Sequence, residues 1–306
     1  MIARLDTLRQ RPAVFRHLTG ITIELFDALA EVVVPAVEVA HHKALERPDR
    51  QRAVGGGDHF DLPLVDHVLA TIVWLRQYPT QEVLGFLFGV SDSTARRAVE
   101  RCLPVLEEAG KDTMRMPDPG RGRRKKLPAL LKDTPGLAVV IDSFEQRTQR
   151  PRRRQRAYYS GKKKAHTLKT QVAVDEDSGA IVDVSDAVPG RWADIKLLEA
   201  SRLMKRLPKG VGGIGDLGYV GIGELHPTGA GAAPRRKPRV KERPPADRKY
   251  NRAFSRRRIV VEHAIGRLRR FRAVAHVNRH RRHGHAMRVR AIAGLVNRML
   301  KHRAAS

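Results

Sequence analysis

Cysteine is almost missing from this chain. Cys102 is the single one among 306 residues, which rules out an internal disulfide and any zinc site built from several cysteines. It falls in an apolar helical pattern and reads as a core residue. Long apolar runs are missing too. The nearest approach, residues 28–40, is interrupted by Glu31, Pro35 and Glu38 and falls short of the roughly 18 apolar residues that a membrane span needs. The first residues also lack the apolar stretch of a secretory signal. These absences fit a cytoplasmic protein without an anchor, and the charge described next suggests association with the nucleoid.

Acid is the third scarcity. Against 60 Lys+Arg there are 32 Asp+Glu, a formal charge of +28, and a surface so basic seeks a polyanion, most commonly nucleic acid. The imbalance is uneven. Residues 1–118 hold 14 basic and 17 acidic side chains, a net of −3, whereas residues 119–306 hold 46 and 15, a net of +31. Between Arg252 and Arg303 stand 16 Lys+Arg and one acid, Glu262.

What is present begins as helix. Residues 21–45 carry apolar side chains at helical spacing and give way to a polar, glycine-bearing loop over 47–61. The period resumes at Leu62. Leu64, Val65, Val68, Leu69, Ile72, Val73 and Leu75 make a broad apolar face that ends at Tyr78-Pro79, because the residue before proline is pushed out of the helical region. A short helix over 80–88, a turn at Gly89-Val90-Ser91 and a longer helix over 92–108, with Ser91 as its cap, complete a helix-turn-helix layout at about 62–109. In that layout Ser93, Thr94, Arg96 and Arg97 face a DNA groove. An ordinary three-helix packing unit is the other reading of the same pattern.

Residues 117–128 have linker composition, with Pro117, Pro119, Gly120, Gly122 and five basic residues between 121 and 126. The expected organisation is a helical domain over 1–118, a basic linker over 119–134 and a second domain over 135–306. In the second domain the texture turns strand-like. Leu137 to Ile141 is a compact apolar run ending at Asp142, residues 167–174 and 180–188 form a hairpin, and 194–207 is helical. A short strand over 211–214 ends at Gly215-Asp216, and a helix over about 255–271 follows a Pro-, Gly- and Arg-rich stretch over 221–251. This order describes an α/β domain, a mixed sheet flanked by helices. Asp142 and Asp216 fall at strand ends, where such sheets place ligands.

Glu262 is the third acid of interest. It is flanked by Ile259, Val260 and Val261 and followed by His263, Ala264 and Ile265, which puts it within or beside a buried stripe. A buried carboxylate is costly unless positive charge compensates it, and a metal shared with Asp142 and Asp216 would do so. A structural ion pair with a neighbouring arginine is the alternative. Asp142 and Asp216 are 74 residues apart, and Asp216 and Glu262 are 46 apart, so only folding can join them.

Three blocks of sequence, taken in order, resemble a known family. The first is Val140-Ile141-Asp142-Ser143-Phe144-Glu145-Gln146 with Tyr158-Tyr159-Ser160-Gly161-Lys162-Lys163-Lys164 and His166-Thr167-Leu168-Lys169. The second is Gly215-Asp216-Leu217-Gly218-Tyr219. The third is Arg256-Arg257-Arg258 through Glu262-His263-Ala264-Ile265-Gly266-Arg267-Leu268. Together they resemble the insertion-sequence transposases with a DDE endonuclease domain, the IS5-like group, over roughly residues 60–300. The resemblance implies a ribonuclease H-like fold preceded by a helix-turn-helix, with Asp142, Asp216 and Glu262 as catalytic metal ligands. It also implies cleavage of element ends followed by attack of the freed 3′-hydroxyl on target DNA.

Phosphodiester cleavage needs an activated water and neutralisation of the leaving oxygen, which two divalent ions supply. All-oxygen ligands favour Mg²⁺ or Mn²⁺. Arg147, Arg150, Lys162, Lys163, Lys164, Arg256, Arg257 and Arg258 are the expected contacts to DNA backbone, individually solvated charges otherwise. The partners are then terminal repeats and target DNA, with the protein a homo-oligomer on DNA. Trp192 reads as core, or else as a face for a flipped base, and Asp194 as a helix cap rather than a fourth ligand. His166 and His263 read as structural or phosphate-facing. An inactive DNA-binding descendant and a purely hydrolytic metal nuclease are the competing functions.

Overall fold

The structure is a computed structural model describing residues 3–46, 62–120, 127–239 and 242–305. The glycine-bearing loop at 47–61 and the five basic residues of the linker within 121–126 lie outside the described residues. Two compact units emerge. One comprises Met1–Thr113, Arg270–Ala275 and Met287–Ser306, and the other Met114–Arg269 and His276–Ala286.

The first unit is helical: α1 (Leu5–Arg9), α2 (Pro12–Thr19), α3 (Ile23–Leu45), α4 (Leu64–Gln77), α5 (Gln81–Phe88) and α6 (Asp92–Lys111). Helix α4 is buried along almost its whole length, from Asp66 to Leu75, as expected of a helix enclosed by others. It stops at Tyr78, left-handed at φ 54, before Pro79. Thr80 then caps α5 by accepting from the Val83 amide at 3.3 Å, and Ser91 caps α6 by accepting from the Thr94 amide at 3.1 Å. Between them Gly89 turns the chain at φ 64. Gly85 has to be glycine, because a Cβ there would lie 2.6 Å from the Val90 carbonyl oxygen. The helix-turn-helix read from the sequence is thus present, with the cap it was given.

The second unit is built on a mixed sheet: β1 (Ala138–Arg147), a one-turn helix α7 (Gln155–Tyr158), β2 (Tyr159–Ser160), β3 (Ala165–Asp175), β4 (Ile181–Val184) and β5 (Val188–Pro189). Helices α8 (Asp194–Ser201) and α9 (Leu203–Arg206) precede β6 (Gly212–Ile214), β7 (Gly231–Ala232) and the long α10 (Pro245–Leu268). The strand order is β2-β3-β1-β6-β7, with β4 and β5 also paired to β3. Strand β3 is antiparallel to β1 and β4, whereas β6 is parallel to both β1 and β7. This antiparallel half followed by a parallel half is the ribonuclease H-like arrangement. One sheet face packs Val139 and Ile141 with Leu198, Leu203, Met204 and Tyr219. Helix α10 packs on β1 and buries Phe254, Val261, Ala264 and Leu268.

Two boundaries differ from the sequence reading. The expected helix over 194–207 is broken at Arg202, left-handed at φ 53. Helix α10 begins at Pro245, inside the stretch read as irregular, since proline at the first position needs no amide partner. The chain closes with α11 (Arg272–Ala275) and α12 (His285–Ala305). Most of α12 belongs to the helical unit, where Gly294 meets Gly110 of α6 at backbone contact. Among the described residues, no helix is long and apolar enough to cross a membrane.

Candidate active site

Strands β1 and β6 are paired in parallel at Ala138↔Gly212, Val139↔Gly213 and Val140↔Ile214. Asp142 and Asp216 each follow the last of these rungs by two residues, so the parallel register brings together two acids far apart in sequence. Side chains alternate along a strand, which gives Asp142 the face of Val140 and turns Ser143 to the other side. Asp142 is not at a strand end, as the sequence suggested. Strand β1 continues to Arg147 because β3 supplies antiparallel partners that far, with Asp142 opposite Val172. Burial pushes the Asp142 carboxyl up to about 6, and the charges of Asp216 and Asp194 push the same way. The Ser143 amide, 2.7 Å from Oδ1, and Arg258 oppose the rise.

The segment Gly215-Asp216-Leu217-Gly218-Tyr219 gains a physical reading. Asp216 Oδ1 accepts from the Gly218 amide at 2.8 Å and so caps the turn that follows β6. A Cβ on Gly218 would lie 2.7 Å from Asp194 Oδ2 and 3.0 Å from Asp216 Oδ1, and one on Gly215 would lie 2.7 Å from the Tyr219 side chain. Both glycines are therefore needed to let two acids and a tyrosine close in.

Asp194 is the residue the sequence reading misplaced. Helix α8 starts at Asp194 with Ala193 as its cap, and no side chain caps that end. The Asp194 carboxylate instead turns to the site, where Oδ1 accepts from Ser143 Oγ at 2.7 Å and from Lys169 Nζ at 2.9 Å. Lys169, 7% exposed, also donates to the Trp192 carbonyl at 2.6 Å. A lysine inside the alternating strand over 167–174 was the available signal, since a buried ammonium needs a carboxylate. Trp192 itself is 41% exposed, which removes the core reading.

Glu262 comes from α10. Arg258, one turn earlier, lies between it and β1, with its guanidinium 3.8 Å from Asp142 and 4.0 Å from Glu262. The Glu262 side chain is 59% exposed, so it is not the buried acid that its apolar neighbours suggested. Val261 takes the inward position and Asp142 is the desolvated carboxylate. Asp142, Asp194 and Glu262 share a cleft of about 370 Å³ with Lys162, Lys163, Lys169 and Arg269. Among the described residues, no three acidic, histidine or cysteine side chains are gathered closely enough to hold a metal ion. Cationic side chains, Arg258 and Lys169, stand against the acids.

Of the other basic candidates, Arg147, Lys164 and Arg256 are exposed. Arg150 is exposed with its guanidinium on Gln155 Oε1. Arg257 is a correction. It is buried and pairs doubly with Glu176 at 2.8 and 2.6 Å while also donating to Thr134 and the Pro135 carbonyl, because its place in the helical repeat faces the sheet. Four of its five donors are taken and the side chain is buried, so it is not a contact to DNA backbone. In the helix-turn-helix, Arg96 and Arg97 are exposed, whereas the hydroxyls of Ser93 and Thr94 bond to Ser91 in the cap.

Comparison with known proteins agrees with this layout. Residues 141–297 match the family described as DDE superfamily endonuclease, and residues 60–112 match the helix-turn-helix of DDE superfamily endonuclease. A protein of Microchaete diplosiphon named as transposase for insertion sequence element IS702 is 30% identical over 92% of this chain and 93% of its own. A Streptomyces albus G protein named as transposase for insertion sequence element IS112 is 27% identical over 71% of this chain and 73% of its own. No solved structure matches. The family match over residues 141–297, with a relative 30% identical over 92% of this chain, shows that the chain belongs to the DDE superfamily endonuclease family.

Proposed function

We propose that this protein is a transposase that cleaves DNA at the ends of its own element and transfers the freed 3′ end into target DNA, with Asp142, Asp216 and Glu262 as the catalytic, metal-holding acids. The observation that carries the reading is the register of β1 and β6, in which Asp142 and Asp216 each follow the shared rung Val140↔Ile214 by two residues, with Asp142 in the cleft that Glu262 borders. The family relation and the transposase names of both relatives support it.

Enzymes of this superfamily work with divalent metal, and the donor chemistry of the three acids suits one. The donors are all oxygen, Asp142 is held above the ordinary carboxylate range by burial, and Arg258 supplies the positive charge that the Asp142 and Glu262 carboxylates draw between them. Asp142, Asp216 and Glu262 would hold two Mg²⁺ or Mn²⁺ ions, which supply an activated water and charge neutralisation at the leaving oxygen. The chain's own residues do the rest. Lys162 and Lys163 at the cleft, with Arg147, Arg150, Lys164, Arg256 and Arg258, bind phosphate and carry no sequence information. Arg96 and Arg97 at the start of α6 read the terminal repeat. Two or more copies assemble on DNA so that paired ends are cut together.

The test is end cleavage and joining by the full-length protein. Duplex oligonucleotides carrying the element's ends are incubated with Mg²⁺, with Mn²⁺ and with EDTA, and products are scored for nicking and for insertion into plasmid. Cleavage and joining with either metal, both abolished by EDTA, are expected. Cleavage without joining of a supplied 3′-hydroxyl end would make the protein a hydrolytic nuclease. Binding without either reaction would make it an inactive descendant.

A further inference from the structure

Residues 276–286 follow α11 and belong to the same compact unit as the sheet. Two buried side chains pin them there. Asn278, 1% exposed, makes a single parallel bridge with Thr148, and its amide donates to the Arg147 carbonyl at 2.8 Å. Gln146 Nε2 donates to the His276 carbonyl at 2.6 Å. At the other end His285 is fully buried, with its Nδ1 3.3 Å from Thr170 Oγ1 of β3. The short loop between these anchors turns Arg279, Arg281, Arg282 and His283 to solvent. The Arg282 guanidinium lies over the Tyr158 ring of α7, 4.6 Å from its centroid, and the segment leading into α7 exposes Arg152, Arg153 and Arg154. Neither segment contains an acid. From Gln146 to Val174 the sequence has ten Lys+Arg and no Asp or Glu, and after Glu262 it has no acid at all. Bringing two such segments together costs self-repulsion that a bound polyanion relieves.

We infer that this edge, the 279–283 loop pinned beside the end of β1, grips the backbone of the target duplex into which the freed 3′ end is inserted. Its distance from the acids suits that role. Arg147 follows Asp142 by five residues along β1, roughly 17 Å at the rise of a strand, or about half a helical turn of B-DNA. A duplex lying along β1 with one phosphodiester at the acids therefore also passes phosphates over the loop. Joining brings two duplexes to one set of acids. The element's end is chosen by sequence, which is the work of the helix-turn-helix. The target is held through its backbone, and guanidinium groups on a fixed edge make contacts of that kind. The inference rests on the reading of the protein as a transposase and gives one of its two DNA substrates a surface of its own.

The experiment compares full-length wild type with the double variants Arg281→Ala/Arg282→Ala and Arg281→Lys/Arg282→Lys. Three reactions are read: cleavage of an intact end duplex, joining of a precut end to supercoiled plasmid at several plasmid concentrations, and binding of random duplex across a salt series without metal. Thermal midpoints are measured alongside. The alanine pair should cleave the end as wild type does but join it about tenfold or more slowly at limiting plasmid, and its logarithmic salt slope should shrink by about 2. Raising the plasmid concentration should restore joining, and the lysine pair should keep both joining and slope. Cleavage and joining lost in equal measure would assign the edge to the element's own end and overturn the inference. Joining and slope both unchanged would make it a solvated face and overturn it too. So would a joining defect that extra plasmid does not relieve, or one that comes with a lowered midpoint. If wild type neither cuts nor joins, the proposed function fails, and the slope decides the edge separately: a loss of about 2 keeps it as a duplex-binding surface, and no change overturns it.

Discussion

Asp142 and Asp216 each stand two residues past the rung Val140↔Ile214 of the parallel pair β1 and β6. Strand pairing therefore sets two like charges side by side before any cation is present. Asp142 bears the consequence, raised by burial and by its acidic neighbours to about 6 from an ordinary 3.8. A carboxylate with a raised folded-state pKa contributes stability that is complete below about pH 4 and lost as pH rises through about 6. In EDTA, Asp142→Asn should thus become more stable than wild type as pH climbs from 4 to 7, by roughly 2–3 kcal/mol at the upper end. Below pH 4 the two should coincide. Denaturant unfolding at several pH values checks this, and a gap that is constant with pH would show that the charge is not the cause.

Glu262→Gln keeps shape and removes the charge of the only acid between Arg252 and Arg303. Metal-dependent end cleavage should fall by several orders of magnitude, as when a group needed in the transition state is lost. Duplex binding should hold or tighten, since a negative charge leaves a basic segment. With Glu262 59% exposed, its thermal midpoint should barely move, and a large drop with cleavage intact would make it a structural ion-pair partner of Arg258.

Arg257 and Arg256 are neighbours in sequence and opposites in role. Arg257→Leu abandons the buried Glu176 carboxylate, and breaking one side of such a pair costs about 3–5 kcal/mol. Arg256→Ala, at an exposed position, should leave stability unchanged and weaken DNA binding uniformly across sequences, with a smaller salt dependence. Paired melting curves and filter-binding titrations separate the two.

Gly85→Ala tests the helix-turn-helix. The new methyl would meet the Val90 carbonyl at 2.6 Å, and backbone on both sides means that the turn between α5 and α6 must open, at about 1–3 kcal/mol. Discrimination between terminal-repeat and random duplex should shrink, whereas salt-sensitive binding to any duplex should persist. Retained discrimination would place end recognition elsewhere in the chain.

Much was legible in the sequence because the signals were local. The apolar period of α4, the Tyr78-Pro79 stop, the Ser91 cap and the alternation of β3 each depend on a few neighbouring residues, and the structure returned them nearly in place. The three blocks around Asp142, Asp216 and Glu262 were likewise readable in one dimension, as was the charge concentrated after residue 118. Contacts between distant segments were not. Which strand runs beside β1, and in what register, decides that Asp142 meets Asp216. The rotation of α10 about its axis decides that Arg257 is buried while Arg258 and Glu262 face the cleft. The direction of one side chain decides that Asp194 joins the acids instead of capping α8. A helical or strand period states that a residue has a face, and only the packing partner states what that face meets.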